Sequence, residues 1–278
     1  MRIDCHVHIT PPDITANPQK YAEKEPYFSL LSGAKHNKFA RTRDVIDMID
    51  EEGFDKAVVF GFAFRDMGLC RHVNDYVTES VKKYPEKLTG FAVVPPSCKE
   101  AAKEIERCFG AGLKGVGELF PYGQEIDLVN KEATIDVANI CAQLDMPLLL
   151  HADENVGHLY PGKTDVPLRH LETFISNNPG LKIILAHWGG GIFLYETMKE
   201  INEKFKNVYY DTAATPFLYD HRIYDAAKAL GLCKKILFGS DFPVLPPSRY
   251  MEGLDGSALS GEEKTMLLGE NARRLLSL

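Results

Sequence analysis

The sequence predicts one α/β domain folded as a (β/α)8 TIM-type barrel. Short apolar runs alternate with stretches of helical spacing along the whole chain, which is typical of a parallel sheet. Eight such runs occur in 278 residues. That spacing leaves about 35 residues for each strand and helix, close to the roughly 250 residues of a typical barrel. No linker, repeat or low-complexity tract divides the chain, so we expect a single domain over residues 1–278.

The eight predicted strands are the apolar, β-rich runs bounded by turn residues. They cover residues 2–9, 56–63, 88–95, 114–121, 147–153, 182–189, 208–215 and 236–243.

The intervening helices are indicated by apolar spacing and end signals. Val45, Met48 and Ile49 follow the i, i+3, i+4 pattern and Gly53 then marks a helix end. Residues 137–144 repeat the pattern at i, i+3, i+4 and i+7. These helices would cover the outside of the strands.

Two S-x-x-E sequences have the form of a capping box, which begins a helix. They are Ser97 with Glu100 and Ser260 with Glu263. The second predicts a closing helix over residues 260–278.

Residues 10–40 are too long for an ordinary strand-to-helix connection and show no clear helical period. The segment contains the aromatic residues Tyr21, Tyr27, Phe28 and Phe39. We therefore expect a long loop that forms an ordered cover over the strand ends.

Composition excludes several classes of function. With 45% hydrophobic and 26% charged residues the chain is a globular protein, and its net charge of −7 offers no basic surface for nucleic acid. No apolar run is long enough to cross a membrane, and the six cysteines contain no C-x-x-C pair. We expect a cytoplasmic protein that acts on a small molecule. The sequence leaves homo-oligomerisation open.

The first strand carries the motif that points to chemistry. Strand alternation directs Asp4, His6 and His8 to one side, while Cys5 and Val7 face the helices. Two imidazoles on alternate strand positions can bind one metal ion.

Four further polar residues fall at the carboxyl ends of other predicted strands, where the active sites of barrels lie. They are Glu118, His151, His187 and Asp241. Taken singly, each has a structural explanation as a hydrogen-bonded core residue, an ion-pair partner or a turn cap. Together, imidazoles and carboxylates at the ends of five apolar strands are best explained by a bound cation.

These residues resemble the amidohydrolase superfamily. The D-x-H-x-H motif, the histidines after strands 5 and 6 and the aspartate after strand 8 match its pattern. The segments HADENVGHLYPG, NPGLKIILAHWGGG, NVYYDTAAT, ILFGSDFP and GENARRLL are similar to its amidohydrolase-related (amidohydrolase 2) branch. The resemblance covers nearly the whole chain and implies the metal-dependent hydrolase fold.

The resemblance implies that His6, His8 and Asp241 bind the more buried ion. His151 would either join them or hold a second ion with His187. Many two-metal members bridge their ions with a carboxylated lysine on strand 4.

This chain has Glu118 at the corresponding strand end, and Lys114 lies at the wrong end of the strand. One or two ions per chain are therefore open. Zinc suits these ligands first, with manganese or iron as alternatives.

The primary hypothesis is a hydrolase of a small amide, ester or lactone. A metal ion would lower the pKa of bound water and polarise the substrate carbonyl. Asp241 would accept the water proton and His187 would orient or bind the substrate. The alternative is a lyase, a metal-dependent non-oxidative decarboxylase or hydratase of an aromatic or muconate-like acid, because relatives with one metal ion include such enzymes.

Substrate contacts are expected from loops after the strands. The candidate binding residues are Arg65, Tyr122, Tyr160 and Lys163, with Gln124, Phe217, Tyr219 and Arg249 on the same group of loops. His158 and His221 would lie near the mouth, whereas His36, His72 and His170 are expected in solvent. Gly189, Gly190 and Gly191 are expected to form a tight turn rather than a phosphate site.

Overall fold

Eight parallel strands form the centre of the molecule. A computed structural model of the chain describes residues 1–34 and 38–278. Each strand pairs with the next along the chain, in the order β1 to β8. Their bounds are β1 Ile3–His8, β2 Lys56–Phe60, β3 Leu88–Ala92, β4 Gly115–Leu119, β5 Leu148–Leu150, β6 Ile183–Leu185, β7 Val208–Asp211 and β8 Ile236–Leu237.

The first and last strands close the sheet. The backbone N–H of Cys5 donates to the Phe238 carbonyl at 2.7 Å, and that of Asp241 donates to the His6 carbonyl at 2.9 Å. Val7 forms a parallel bridge with Phe242. The predicted (β/α)8 barrel is confirmed.

The observed strands end earlier than predicted at the side where the polar residues lie. The predicted strand over residues 182–189 stops at Leu185, because His187 and Trp188 have φ values of 54° and 59°. An extended strand cannot adopt these left-handed values. The chain turns at the end of the strand, and the His187 side chain reaches the barrel mouth.

The helices surround the barrel, and short segments connect the strands to the helices. The α-helices are α1 Pro12–Ala16, α2 Pro18–Ala22, α3 Pro26–Ser32, α4 Thr42–Glu52, α5 Met67–Lys83, α6 Ala101–Gly110, α7 Lys131–Gln143, α8 Leu168–Asn177, α9 Lys199–Lys204, α10 Thr215–Leu218, α11 Arg222–Ala229, α12 Ser248–Gly256, α13 Gly261–Thr265 and α14 Asn271–Leu276. Among the described residues, none of these helices combines the length and apolar character that crossing a bilayer requires.

Apolar spacing predicted α4 and α7 correctly. Val45, Met48 and Ile49 are buried on α4, which ends at Gly53 with a left-handed φ of 68°. α7 covers Lys131–Gln143. The spacing therefore identified the faces that pack on the strands.

One of the two predicted capping boxes is present. The Ser260 side chain accepts a hydrogen bond from the Glu263 N–H at 3.2 Å, and Glu263 accepts from the Ser260 N–H at 2.7 Å. The prediction at Ser97 is wrong, because α6 begins at Ala101 and has no side-chain cap. The preceding residues form a turn in which the Cys98 N–H donates to the Pro95 carbonyl.

The closing helix is interrupted. It divides into α13 and α14 around a π-helical turn at Met266–Glu270. Gly269 in this turn packs against the backbone of Met1, where a Cβ would overlap the carbonyl oxygen. Only glycine therefore fits at this position.

The segment 10–40 is not a plain loop. It contains the three short helices α1, α2 and α3, each beginning at a proline. Proline is favoured at a first helical position, and five to seven residues are too few to show a period. The Tyr27 hydroxyl donates to the Gly162 carbonyl at 2.8 Å, which ties α3 to the loop after β5. His36 lies outside the described residues.

The three glycines after His187 form the expected tight turn, with φ values of 62°, 60° and 90°.

We expect Gly190→Ala to lower the free energy of unfolding by about 2–4 kcal/mol, because alanine at positive φ is strained and its Cβ would overlap the Asp153 carbonyl. Denaturant unfolding would measure this. Gly180→Ala is the control, because a Cβ at Gly180 would lie in open space, and it should change the free energy of unfolding by less than about 0.5 kcal/mol. Equal effects of the two changes would refute this explanation of the turn.

Candidate metal centre and active site

Five of the predicted ligands meet at the carboxyl ends of the strands. His6 and His8 lie on β1 and Glu118 on β4, whereas His187 and Asp241 follow β6 and β8. They form two sets of three whose ligand atoms lie within 4.8 Å of one another, one of His6, His8 and Asp241 and the other of His6, Glu118 and His187. Residues from four separate parts of the chain therefore surround one point.

The separations of the ligand atoms fit a divalent cation. His6 Nε2 is 3.3 Å from His8 Nε2, 3.4 Å from Glu118 Oε2 and 3.6 Å from Asp241 Oδ1. His8 Nε2 is 3.6 Å from Glu118 Oε2 and 3.2 Å from Asp241 Oδ1. Four tetrahedral ligand atoms about 2.1 Å from an ion lie roughly 3.4 Å apart. The donor set therefore matches a cation that accepts nitrogen and carboxylate ligands.

Hydrogen bonds on the outer side fix the two buried histidines. His6 Nδ1 donates a hydrogen bond to Asp211 Oδ2 at 2.8 Å, so Nε2 faces the centre. His187 Nδ1 donates to the Ala213 carbonyl at 3.1 Å, which leaves its Nε2 at 3.5 Å from Glu118 Oε1. Both rings thus direct Nε2 to the centre.

The charges around His6 and Glu118 perturb both groups. Burial lowers the pKa of His6, but the charges of Asp211 and Glu118 raise it well above its ordinary value. Burial raises the pKa of Glu118, yet His6 and His151 hold it well below its ordinary value. A cation among these groups would replace the proton on His6, so metal binding should release protons.

His151 is placed differently from the other predicted ligands. Its Nδ1 is 2.8 Å from Glu118 Oε1 and its Nε2 is 3.0 Å from Asp153 Oδ1. Burial lowers the pKa of His151, but the carboxylates raise it well above its ordinary value. The ring lies between two carboxylates and belongs to neither set of ligands, so its role as a ligand stays a prediction.

Sequence reasoning missed Asp153 and Asp211. Asp211 accepts from His6 with one oxygen and from the His187 N–H with the other, at 2.9 Å. Asp153 accepts from the Thr164 N–H at 2.8 Å and from its hydroxyl, and so holds the loop after β5 against His151. Asp211 is the last residue of β7, and this position at a strand end is the sequence signal by which Asp211 could have been identified.

Asp211→Asn is expected to weaken metal binding by about 10–100-fold, because the amide lacks the negative charge that raises the basicity of His6 and has one oxygen for the two hydrogen bonds that Asp211 accepts. Competition with a chromogenic chelator would measure the affinity. Asp47→Asn provides the matched control, since Asp47 pairs with Arg43 on an exposed face of α4. Equal affinities for the Asp211 variant and the control would show that Asp211 does not position His6.

A cavity of about 670 Å³ opens above the ligand cluster. Its floor holds His8, Glu118, His151, His187 and Asp241. Most of the remaining described lining is apolar and comes from α3, the strand ends and the loops after β7 and β8: Tyr27, Phe28, Leu31, Phe39, Phe62, Phe120, Phe217, Leu218 and Val244. The site is therefore a polar floor beneath largely apolar walls.

The predicted substrate-binding residues are divided between the cavity and the surface. Tyr160 lines the cavity, and its hydroxyl donates to Asp153 Oδ1 at 3.3 Å. Arg65 lies outside the lining and pairs with Glu125 at 2.8 Å. Tyr122 is 63% exposed and is also outside it.

Lys163 contributes to the loop rather than to the lining. Its ammonium group donates to the carbonyls of Val156 and His158, at 2.5 and 3.2 Å. Tyr160 therefore lies where a substrate could reach it and Lys163 does not, and both substrate contacts stay predictions.

The other loop residues divide in the same way. Phe217 and His158 line the cavity, whereas Tyr219, Arg249 and His221 do not. Gln124 is buried and donates to the carbonyls of Phe64 and Val94, both at 2.9 Å. Gln124 thus has a structural role in joining two strand ends.

The barrel carries at its mouth a cluster of residues that could hold a divalent cation. Residues 3–278 match the model of the amidohydrolase family, and the chain belongs to that family.

Curated relatives of the chain include decarboxylases. The chain is 24% identical to the gamma-resorcylate decarboxylase of Polaromonas sp. strain JS666, over 75% of this chain and 76% of that protein. It is 22% identical to the gamma-resorcylate decarboxylase of Rhodococcus jostii strain RHA1, over 77% of this chain and 78% of that protein.

Solved structures share the fold. The dihydroxybenzoic acid decarboxylase of Polaromonas sp. JS666, solved with bound manganese and the inhibitor 2-nitroresorcinol, is 18% identical with a TM-score of 0.75, over 100% of this chain and 97% of that chain. The 5-carboxyvanillate decarboxylase of Sphingomonas paucimobilis is 16% identical with a TM-score of 0.76, over 100% of this chain and 99% of that chain.

Proposed function

We propose that the protein is a metal-dependent, non-oxidative decarboxylase of a small aromatic acid that carries a hydroxyl group beside its carboxylate. The observation that carries this proposal is a cavity with aromatic walls whose floor holds the cation ligands. An aromatic ring would pack on the walls while its carboxylate and hydroxyl oxygens face the floor. The curated relatives act on acids of this kind. They favour the lyase alternative over the hydrolase that the sequence first suggested.

His6, His8, Asp241 and Glu118 would hold the ion, with His187 beside them. When bound, the cation would neutralise the substrate oxygens and stabilise negative charge that develops during the reaction. Manganese is bound in the related dihydroxybenzoic acid decarboxylase, and zinc and iron also suit these ligands. We propose manganese as the first metal to test.

The reaction requires one proton at the ring carbon that bears the carboxylate. When this carbon gains a proton, the bond to the carboxylate breaks, its electron pair returns to the ring and carbon dioxide leaves. Asp241 is our proposed proton carrier, because its side chain lines the cavity and lies 3.2 Å from His8 Nε2. His187 Nε2 also faces the centre and would orient the substrate hydroxyl.

Hydrolysis is the second candidate. Asp241 lies beside the same cation ligands, where it could accept a proton from a metal-bound water. A lactone or ester would then take the place of the aromatic acid. The geometry of the ligands serves both reactions, so the products must distinguish them.

We also propose that the enzyme acts in the cytoplasm. All six cysteines are free, which fits a reducing compartment.

Release of labelled carbon dioxide tests the proposed function. Protein loaded with manganese or zinc is incubated with carboxyl-labelled 2-hydroxybenzoate or 2,6-dihydroxybenzoate, and the phenol product is measured by chromatography. We expect labelled carbon dioxide and phenol in equal amounts, and neither after treatment with a chelator. A parallel panel of lactones, esters and amides tests hydrolysis. Turnover of that panel without carbon dioxide release from any aromatic acid would contradict the proposal.

A further inference from the structure

A continuous aromatic wall runs outward from the floor of the cavity. The ring of Phe120 lies 5.2 Å from that of His151 and 5.0 Å from that of Phe62, on which it stacks. Phe62 is in turn 5.1 Å from Phe28, and Phe28 is 6.0 Å from Phe39, all measured between ring centroids. The wall thus joins a histidine on the floor to the segment that follows α3.

Apolar side chains also line other parts of the cavity. Leu218 belongs to α10 and Val244 follows β8, while Phe217 is 54% exposed next to Leu218. The cavity therefore presents apolar surface from α10 and the loop after β8 in addition to the aromatic wall.

A single benzoate ring would use only part of this space. The cavity volume of about 670 Å³ falls in the middle of the range of roughly 300–1,000 Å³ that encloses drug-sized ligands. A ring whose carboxylate lies at the floor would leave part of the wall, at the half-buried rings of Phe62 and Phe39, in contact with water. Covering that surface with an apolar group is favourable.

We propose that the natural substrate carries an apolar substituent, an alkyl chain or a second ring, that lies along Phe62 and Phe39. This inference rests on the proposed function for the reaction at the floor, and it names the class of acid as one larger and more apolar than a dihydroxybenzoate. Each buried methylene group of such a substituent contributes about a fourfold gain in affinity.

Binding of unreactive phenols tests the substituent separately from catalysis. Calorimetry on the manganese-loaded protein compares phenol with 3-pentylphenol and 3-phenylphenol. We expect the substituted phenols to bind at least about 30-fold tighter than phenol. A phenol with an ether-containing chain of the same length should gain much less affinity over phenol than 3-pentylphenol does. Equal affinities for phenol and both apolar derivatives would overturn the inference.

Two substitutions locate the effect on the wall. Phe39→Ala and Phe62→Ala each remove a half-buried ring of the wall from the lining of the cavity. Each should reduce the gain from the pentyl chain to less than about tenfold. Phe109→Ala is the matched control, since Phe109 is 42% exposed at the end of α6. If the pentyl chain raised the affinity by the same factor in all three variants, the inference would also be overturned.

The carbon dioxide assay separates this inference from the proposed function. Release from pentyl-substituted 2-hydroxybenzoate with a higher kcat/KM than from the parent acid would support both. Equal kcat/KM values for the two acids would overturn the inference alone. Chain-dependent phenol binding without carbon dioxide release from any acid would support the apolar subsite and overturn the proposed decarboxylation.

Discussion

Replacement of both His6 and His8 with alanine is expected to reduce the bound metal to less than about a tenth of an ion per chain. The two Nε2 atoms lie 3.3 Å apart and are the only nitrogen ligands in the set they form with Asp241. Without them that set keeps a single carboxylate, and the second set loses its shared His6. Decarboxylation should become undetectable. Elemental analysis after metal loading and dialysis measures the occupancy.

The control for this change is the double variant His72→Ala and His221→Ala. Both histidines have side chains about half exposed and lie outside the cluster. His8→Ala alone provides a milder change, because the His8 side chain is 21% exposed while that of His6 is fully buried. Full metal occupancy in a folded His6 and His8 variant would refute the assignment of these ligands.

Asp241→Asn is expected to lower kcat by about 10²–10⁴-fold with little loss of stability. Asparagine has nearly the same shape and keeps one ligand oxygen, but it cannot carry a proton. Burial raises the pKa of Asp241, whereas its hydrogen bond with His8 and the charge of His6 lower it below its ordinary value. The carboxylate therefore belongs to the charge network at the floor. Steady-state kinetics with metal occupancy measured on the same sample separates proton transfer from metal loss.

Asp255→Asn is the matched control, because the Asp255 side chain is 84% exposed on α12. Its kcat should equal that of the unmodified protein. A normal kcat for Asp241→Asn at full metal occupancy would remove Asp241 from the mechanism.

The fold was predictable because it depends on local patterns repeated along the chain. Apolar runs and helical spacing identify every strand and the faces of α4 and α7. The patterns fail where a tertiary contact decides the structure. The closing helix is broken at Gly269, where the backbone of Met1 packs against it, and Met1 is far away in sequence.

The site was predictable where topology alone brings residues together. His6, His8, Glu118, His187 and Asp241 all lie at strand ends, and a barrel gathers such ends at one mouth. The partners that orient them were harder to find.

The hydrogen bond between Asp211 and His6 joins residues 205 positions apart and depends on the exact direction of both side chains. Arg65, in a loop, was chosen by residue type and is directed to Glu125 instead of the cavity. Loop geometry has no period from which such directions can be predicted.

We expect side chains from separate strands to bind one divalent cation at the mouth of the barrel. Anomalous diffraction from crystals of the manganese-loaded protein, collected on both sides of the metal absorption edge, tests this expectation. A peak bonded to His6 Nε2, His8 Nε2 and Asp241 is expected at the floor of the cavity. Absence of a peak at saturating manganese and zinc, or a peak bound elsewhere on the chain, would contradict it.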